Sequence, residues 1–224
     1  MPCANNPAVV LTSTHPKTNG WTHAAKSDGM ICFGEPSPGL SASPLEFDPA
    51  FTGVVKTAYI VLISDKSSDL MTILSAPVPL RFVRHETESW FDPPDTQAAR
   101  ELSETLFGLN SEVSVNAKAT NQLKPGARPQ LICVIFEDET LLSKVYLGNS
   151  AGSARWKRGF GGKLLEIITL SREPDENQHA SVLKYLTVKH NLGLPPQKAE
   201  NPTKTLNDLG ILHGGVFATL TLVR

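Results

Sequence analysis

The sequence predicts an α+β domain with a largely antiparallel sheet, or a β-sandwich, that carries two or three helices and is preceded by an extended proline-rich N-terminal arm. Three observations predict it. Stretches of strand character follow one another without the regular strand–helix–strand alternation of a parallel sheet. Two segments carry helix start and stop signals at both ends. Pro36, Pro38, Pro44 and Pro49 crowd one short stretch near the N-terminus; each fixes φ, removes a donor and disfavours helix in its predecessor. The expected boundaries are an arm over 1–50 and a single α+β domain over 51–224.

Within the arm, Ala8–Leu11 and Met30–Phe33 read as short strands. "GVVKTAYIVLIS" (53–64) is β-branched, aromatic and too apolar for an edge, so it is a central strand. "SSDLMTILSA" reads as a helical turn from Ser67 or Ser68, and "VPLRFVRH" (78–85) as a strand. "FDPPDTQAARELSETLFGLN" is a helix with Asp92 or Asp95 as N-cap, a stripe of Ala98, Ala99, Leu102 and Leu106, and Gly108 past its end.

"EVSVNAKAT" (112–120) alternates, which sets Val113, Val115, Ala117 and Ala119 on the dry face of one strand. "QLICVIFEDE" (130–139) is a buried strand that ends in acid, and "TLLSKVYLG" (140–148) reads as its hairpin partner, although "DETLLSKV" also fits a helix. "KLLEIITLS" (163–171) is a further apolar strand. A second helix spans about 174–191, with Pro174, Asp175 and Glu176 at its start, Val182, Leu183, Tyr185 and Leu186 inward, and Gly193 with Pro195 and Pro196 at its end. "PTKTLNDLG" (202–210) adds a short helix, and "HGGVFATLTLVR" (213–224) a closing strand.

Composition bounds the function. At 40% hydrophobic and 19% charged residues most of the chain is globular, and a net charge of -1 excludes a generally basic nucleic-acid coat. Cys3, Cys32 and Cys133 show no CxxC spacing and are odd in number, which points to an intracellular protein, cytoplasmic or nuclear. No signal peptide and no transmembrane segment is read, so membrane contact would be peripheral.

One stretch departs from this background. "GSARWKRGFGGK" (152–163) sets Arg155, Lys157, Arg158 and Lys163 around Trp156 and Phe160 among four glycines. Cations neutralise phosphates, and aromatic faces stack on unpaired bases or sit among headgroups. Arg158 to Gly161 overlap the start of the RNA-recognition octamer, but Gly162 and Lys163 break it, and too little chain separates this segment from "LICVIF" for the module's helix. A phosphate loop would need glycine where Lys157 stands and a hydroxyl where Leu164 stands.

Other clusters carry less. His85, Glu86, Glu88 and Asp92 form a poor ligand set, since His85 and the two glutamates point to opposite faces of a strand. Glu137, Asp138 and Glu139 read as the polar end of a hairpin, and Cys133 as a small core residue. The six histidines fall in no recognisable triad.

The expectation is therefore a non-catalytic structural or binding protein, matrix- or capsid-like in the viral sense. It forms homo-oligomers and meets an anionic partner, nucleic acid or a membrane surface, through the 152–163 basic–aromatic loop. No catalytic residue, metal or cofactor is assigned. The alternative is an intracellular enzyme or small-molecule binder whose site is dispersed in sequence.

Overall fold

The computed structural model describes strand segments between residues 2 and 85, and residues 111–119, 126–143, 146–147, 162–209, 211 and 220–223; side chains are described for 30–31, 56–64, 112–119, 126–137, 162–209 and 211. The helix expected over 92–108, most of the 152–163 loop and the start of the closing strand lie outside these residues.

The main sheet has eight strands: β1 (Ala25–Ser27), β2 (Met30–Phe33), β3 (Thr52–Ser64), β4 (Ser111–Val115), β5 (Lys118–Ala119), β6 (Gln130–Ser143), β7 (Gly162–Leu170) and β8 (Leu220–Val223). Their order is β5-β4-β6-β3-β7-β2-β1, and β8 also pairs with β7. Every pairing in this sheet is antiparallel except β7 with β8. Two helices, α1 (Glu176–His190) and α2 (Pro202–Asp208), complete the described α+β body. A separate five-stranded antiparallel sheet joins Asn6–Ser13 and Leu45–Asp48 from the N-terminal segment to Tyr146–Leu147.

β3 is central because its stretch from Ala58 to Ile63 is wholly apolar. Residues from Thr57 to Leu62 are all buried, and β6 and β7 flank it. One face presents Tyr59, Val61, Leu131, Cys133, Ile168 and Leu170 to Val182, Leu183 and Leu186 of α1 and to Leu206 and Leu209 beside α2. The opposite face, with Ile60, Leu62, Ile132, Val134, Leu164 and Ile167, is also buried. Burial on both faces explains why these strands read as continuous apolar runs rather than alternations. Ile31 of β2 is buried as well, so part of the N-terminal 50 residues belongs to the core.

α1 is set by its caps. Asp175 accepts the Gln178 N–H at 2.8 Å while the Gln178 side chain accepts the Asp175 N–H at 3.1 Å, a reciprocal box that satisfies two orphan donors. The helix stops at Asn191 in the left-handed region (φ 51), with Leu192 N–H donating back to Thr187 O at 3.2 Å. The stop at Asn191 agrees with the expected end near 191, with Gly193 just beyond it.

Three expectations are corrected. Residues 112–120 are not one strand: Asn116 (φ 52) and Ala117 (φ 59) make a two-residue turn that sends β5 back along β4. Asn tolerates that conformation, and here its backbone N–H donates to Leu131 O (2.8 Å) while its side chain accepts the Leu131 N–H (3.0 Å), so Ala117 and Ala119 end exposed. Residues 130–148 do not form a hairpin at the acids. β6 runs through to Ser143, and both of its halves pair with β3, with the irregularity between Ile135 and Thr140 set against Thr57 and Val55. The acids occupy a bulge, at which Lys56 Nζ donates to the Glu137 carbonyl. The helical turn expected from Ser67 is replaced by extended segments, of which Leu70–Thr72 pairs with Val83–His85.

Candidate functional site

Of the six residues assigned to the anion-binding loop, Arg155, Trp156, Lys157, Arg158 and Phe160 lie outside the described residues. Lys163 is described. It is exposed at the second position of β7, in register with Ile63 of β3 and Cys32 of β2. Gly162 before it has φ 135, a backbone conformation that L side chains rarely adopt, so the loop joins the sheet through a residue where a Cβ would be strained. Among the described residues, no carboxylate lies within ion-pair distance of Lys163.

The same strand holds a group that sequence reasoning passed over. Along β7, Leu164 faces Leu62 but Glu166 faces Val61, so Leu165 is an extra residue. A regular ladder would set Glu166 opposite Ile60, on the apolar face away from the helices. The bulge turns it instead toward α1. β7 and α1 are joined by a short turn and run back along one another, which brings the last turn of α1 over the first half of β7.

There three α1 side chains converge on one carboxylate. Glu166 is 1% exposed. Tyr185 donates to its Oε1 at 3.0 Å, Lys189 Nζ lies 3.1 Å from each carboxylate oxygen, and His190 Nε2 lies 2.6 Å from Oε2. Lys189 Nζ is also 2.6 Å from the Tyr185 oxygen and 5.0 Å from that ring's centroid. Tyr185 and Lys189 lie one turn apart on α1 and His190 is its last residue, and basic groups at a helix C-terminus complement its dipole.

This geometry defines what the cluster can do. A buried carboxylate is tolerable only when paired, and Glu166 has three donors. Burial, then the Glu166 charge and hydrogen bond, push the Tyr185 phenol far above its ordinary range, so it stays a protonated donor. The lone pairs that would make Glu166 a general base are taken. Its immediate effect is to clip the end of α1 to the sheet. The sequence signal was available: one charged residue in an apolar strand, and a helix with Tyr, Lys and His at compatible spacing.

Two further ionisable groups lie beneath α1. The Tyr59 hydroxyl is 2.7 Å from His179 Nδ1. Cys133 is a free thiol in the core, pushed up to about 12 chiefly by burial, which makes it an inert packing group rather than a nucleophile. Among the described residues, no three His, Cys, Asp or Glu side chains are placed to hold a metal ion, and no helix is long and apolar enough to cross a membrane. His85 lies at the end of the short strand Val83–His85, and Glu86, Glu88 and Asp92 lie outside the described residues.

No family model matches this chain, and neither the curated proteins nor the solved structures contain a match to it.

Proposed function

We propose that this chain is a non-catalytic structural or binding protein of matrix- or capsid-like type, which associates with itself and meets nucleic acid or an anionic membrane surface through the 152–163 loop. The observation that carries this reading is the state of Lys163. It stands exposed on a strand whose other side is fixed in the core, with no described acid to neutralise it, whereas Lys189 and His190 are committed to Glu166.

The open edge of β4 and β5 carries exposed Glu112 and Lys118, charges that discourage strand addition. Self-association would use the N-terminal segment or another edge strand. A reducing intracellular setting accords with the unpaired Cys133.

The test is binding to a fluorescent single-stranded oligonucleotide, and separately to phosphatidylserine-containing vesicles, across a salt series. Arg155→Ala combined with Lys157→Ala and Arg158→Ala is expected to flatten the log–log salt slope on the oligonucleotide by about 2, given roughly 0.7 per phosphate contact on single strands. Wild-type protein that binds neither probe at low salt, or a triple variant with an unchanged slope, refutes the assignment.

A second reading is favoured by one observation, the convergence of Glu166, Tyr185, Lys189 and His190 from distant parts of the sequence. It is that of an intracellular enzyme or small-molecule binder with a site built around that cluster. Ligand-induced shifts in the His190 ring resonances, insensitive to the loop substitutions, would select it.

A further inference from the structure

The helix α1 is fastened to the sheet at two points of different chemistry. The clip at Glu166 holds its last turn. The other point is His179, in its first turns. Tyr59 is 0% exposed in the middle of β3, and its ring lies 5.6 Å from that of His179, inclined by 38°. Burial, with the Cys133 thiol adjacent, holds the Tyr59 phenol far above its ordinary range, so the hydroxyl keeps its proton. It is then the donor across the 2.7 Å contact, and His179 Nδ1 offers a lone pair. With Nδ1 accepting, the neutral ring is the tautomer that carries its proton on Nε2.

The surroundings oppose a charge on this ring. Burial pulls His179 below the usual imidazole range. The start of a helix also disfavours a cation. From β3 the facing titratable group is Tyr59 and from β6 Cys133; from β7 the core positions here are Ile168 and Leu170. On α1's own first turn, Asp175 is bound to the Gln178 N–H, and Glu176 is exposed. On α2, Lys204 and Asp208 pair with each other at 2.6 Å and are exposed.

We infer that the Tyr59–His179 contact is an acid-sensitive latch: the neutral ring holds the first turns of α1 against the sheet, and protonation releases them while Glu166 keeps the last turn attached. A protonated ring carries N–H on both nitrogens, so the Tyr59 oxygen must turn to accept from Nδ1, its own O–H loses its partner at a buried position, and a charge is set against the apolar sheet face. Release uncovers the apolar face around Tyr59, Cys133 and Ile168. The direction follows from linkage. The open state binds the proton more readily than the closed one, so this contribution to stability is intact above roughly pH 6.5 and is lost as pH falls toward and through the depressed value of the folded state.

The experiment follows histidine ring resonances of the intact protein from pH 8.5 to 4.5, alongside amide exchange of residues 176–190 corrected for intrinsic rates. His179 is expected to titrate below an ordinary histidine. Opening of the first half of α1 should rise from pH 7.5 to 5, by at most about thirtyfold, the limit for an imidazole that protonates only in the open state. Tyr59→Phe should raise the His179 titration point, and His179→Phe should abolish the pH dependence of opening. Protection unchanged over that range in the wild type overturns the latch. So does equal acid-induced opening in His179→Phe, which would assign the effect to the Glu166 clip. If His179→Phe fails to fold, the wild-type titration and Tyr59→Phe decide the matter.

Discussion

Ala117 shows how a single residue can sit against its own preference. Its φ of 59 places a Cβ where the left-handed conformation costs L-residues roughly 1–2 kcal/mol. Asn116 before it accepts the same region at less cost, and Asn-Gly is the favoured pair for such a turn. Ala117→Gly should therefore stabilise the protein by about 0.5–1 kcal/mol, after the greater chain entropy of glycine is subtracted. Urea denaturation would show this as a higher midpoint at unchanged slope, and a lower midpoint would contradict the turn assignment. At Glu166 the expectation is an asymmetry. Glu166→Gln frees Lys189, whose side chain is 26% exposed and can turn to water, at about 1–2 kcal/mol. Lys189→Met instead leaves a buried carboxylate short of its countercharge, at about 2–4 kcal/mol. The same titrations measure both; a larger loss for Glu166→Gln would show that Lys189 contributes little to the clip.

Elements were legible where one physical demand set them. β3, β6 and β7 announced themselves as predominantly apolar, β-branched runs, because two buried faces leave little room for polar residues; Thr57, Thr169 and Glu166 are buried exceptions. α1 announced itself through Pro174, Asp175 and Glu176 at its start and an inward stripe, while the capping box with Gln178 emerged only in the structure. Leu186 lies at the centre of that stripe and is fully buried. Leu186→Ala should cost about 2–5 kcal/mol, read as a lower thermal midpoint, and should weaken exchange protection in both α1 and α2. What escaped the sequence were departures from regularity. The turn at Asn116 hides inside a faultless alternation, since Ala117 gives no glycine signal. The bulges at Leu165 and after Ile135 depend on which residue of a neighbouring strand each one faces, and that is a property of pairing rather than of local pattern. Glu166 became legible as a site residue only once the Leu165 bulge had set its direction.

At the scale of the molecule, the described body is a sheet dry on both faces, with its helices on one of them and its ionisable groups used mainly for attachment. Glu166 beneath α1 and His179 on it both fasten the helix to the sheet. The loop at 152–163 enters this body at Gly162 and Lys163, so any force exerted by a partner on the loop passes into β7 and thence to the core.

β7 carries a further consequence. Its second edge is shared: Met30–Phe33 lies against Gly162–Leu164 and Leu220–Val223 against Ile167–Leu170. Stretches translated far apart in time must meet on one strand before the sheet is whole. Contacts of such long sequence separation slow folding. During synthesis β7 therefore waits with half of its rim unpartnered, and this nascent chain is the form most in need of a chaperone's cover.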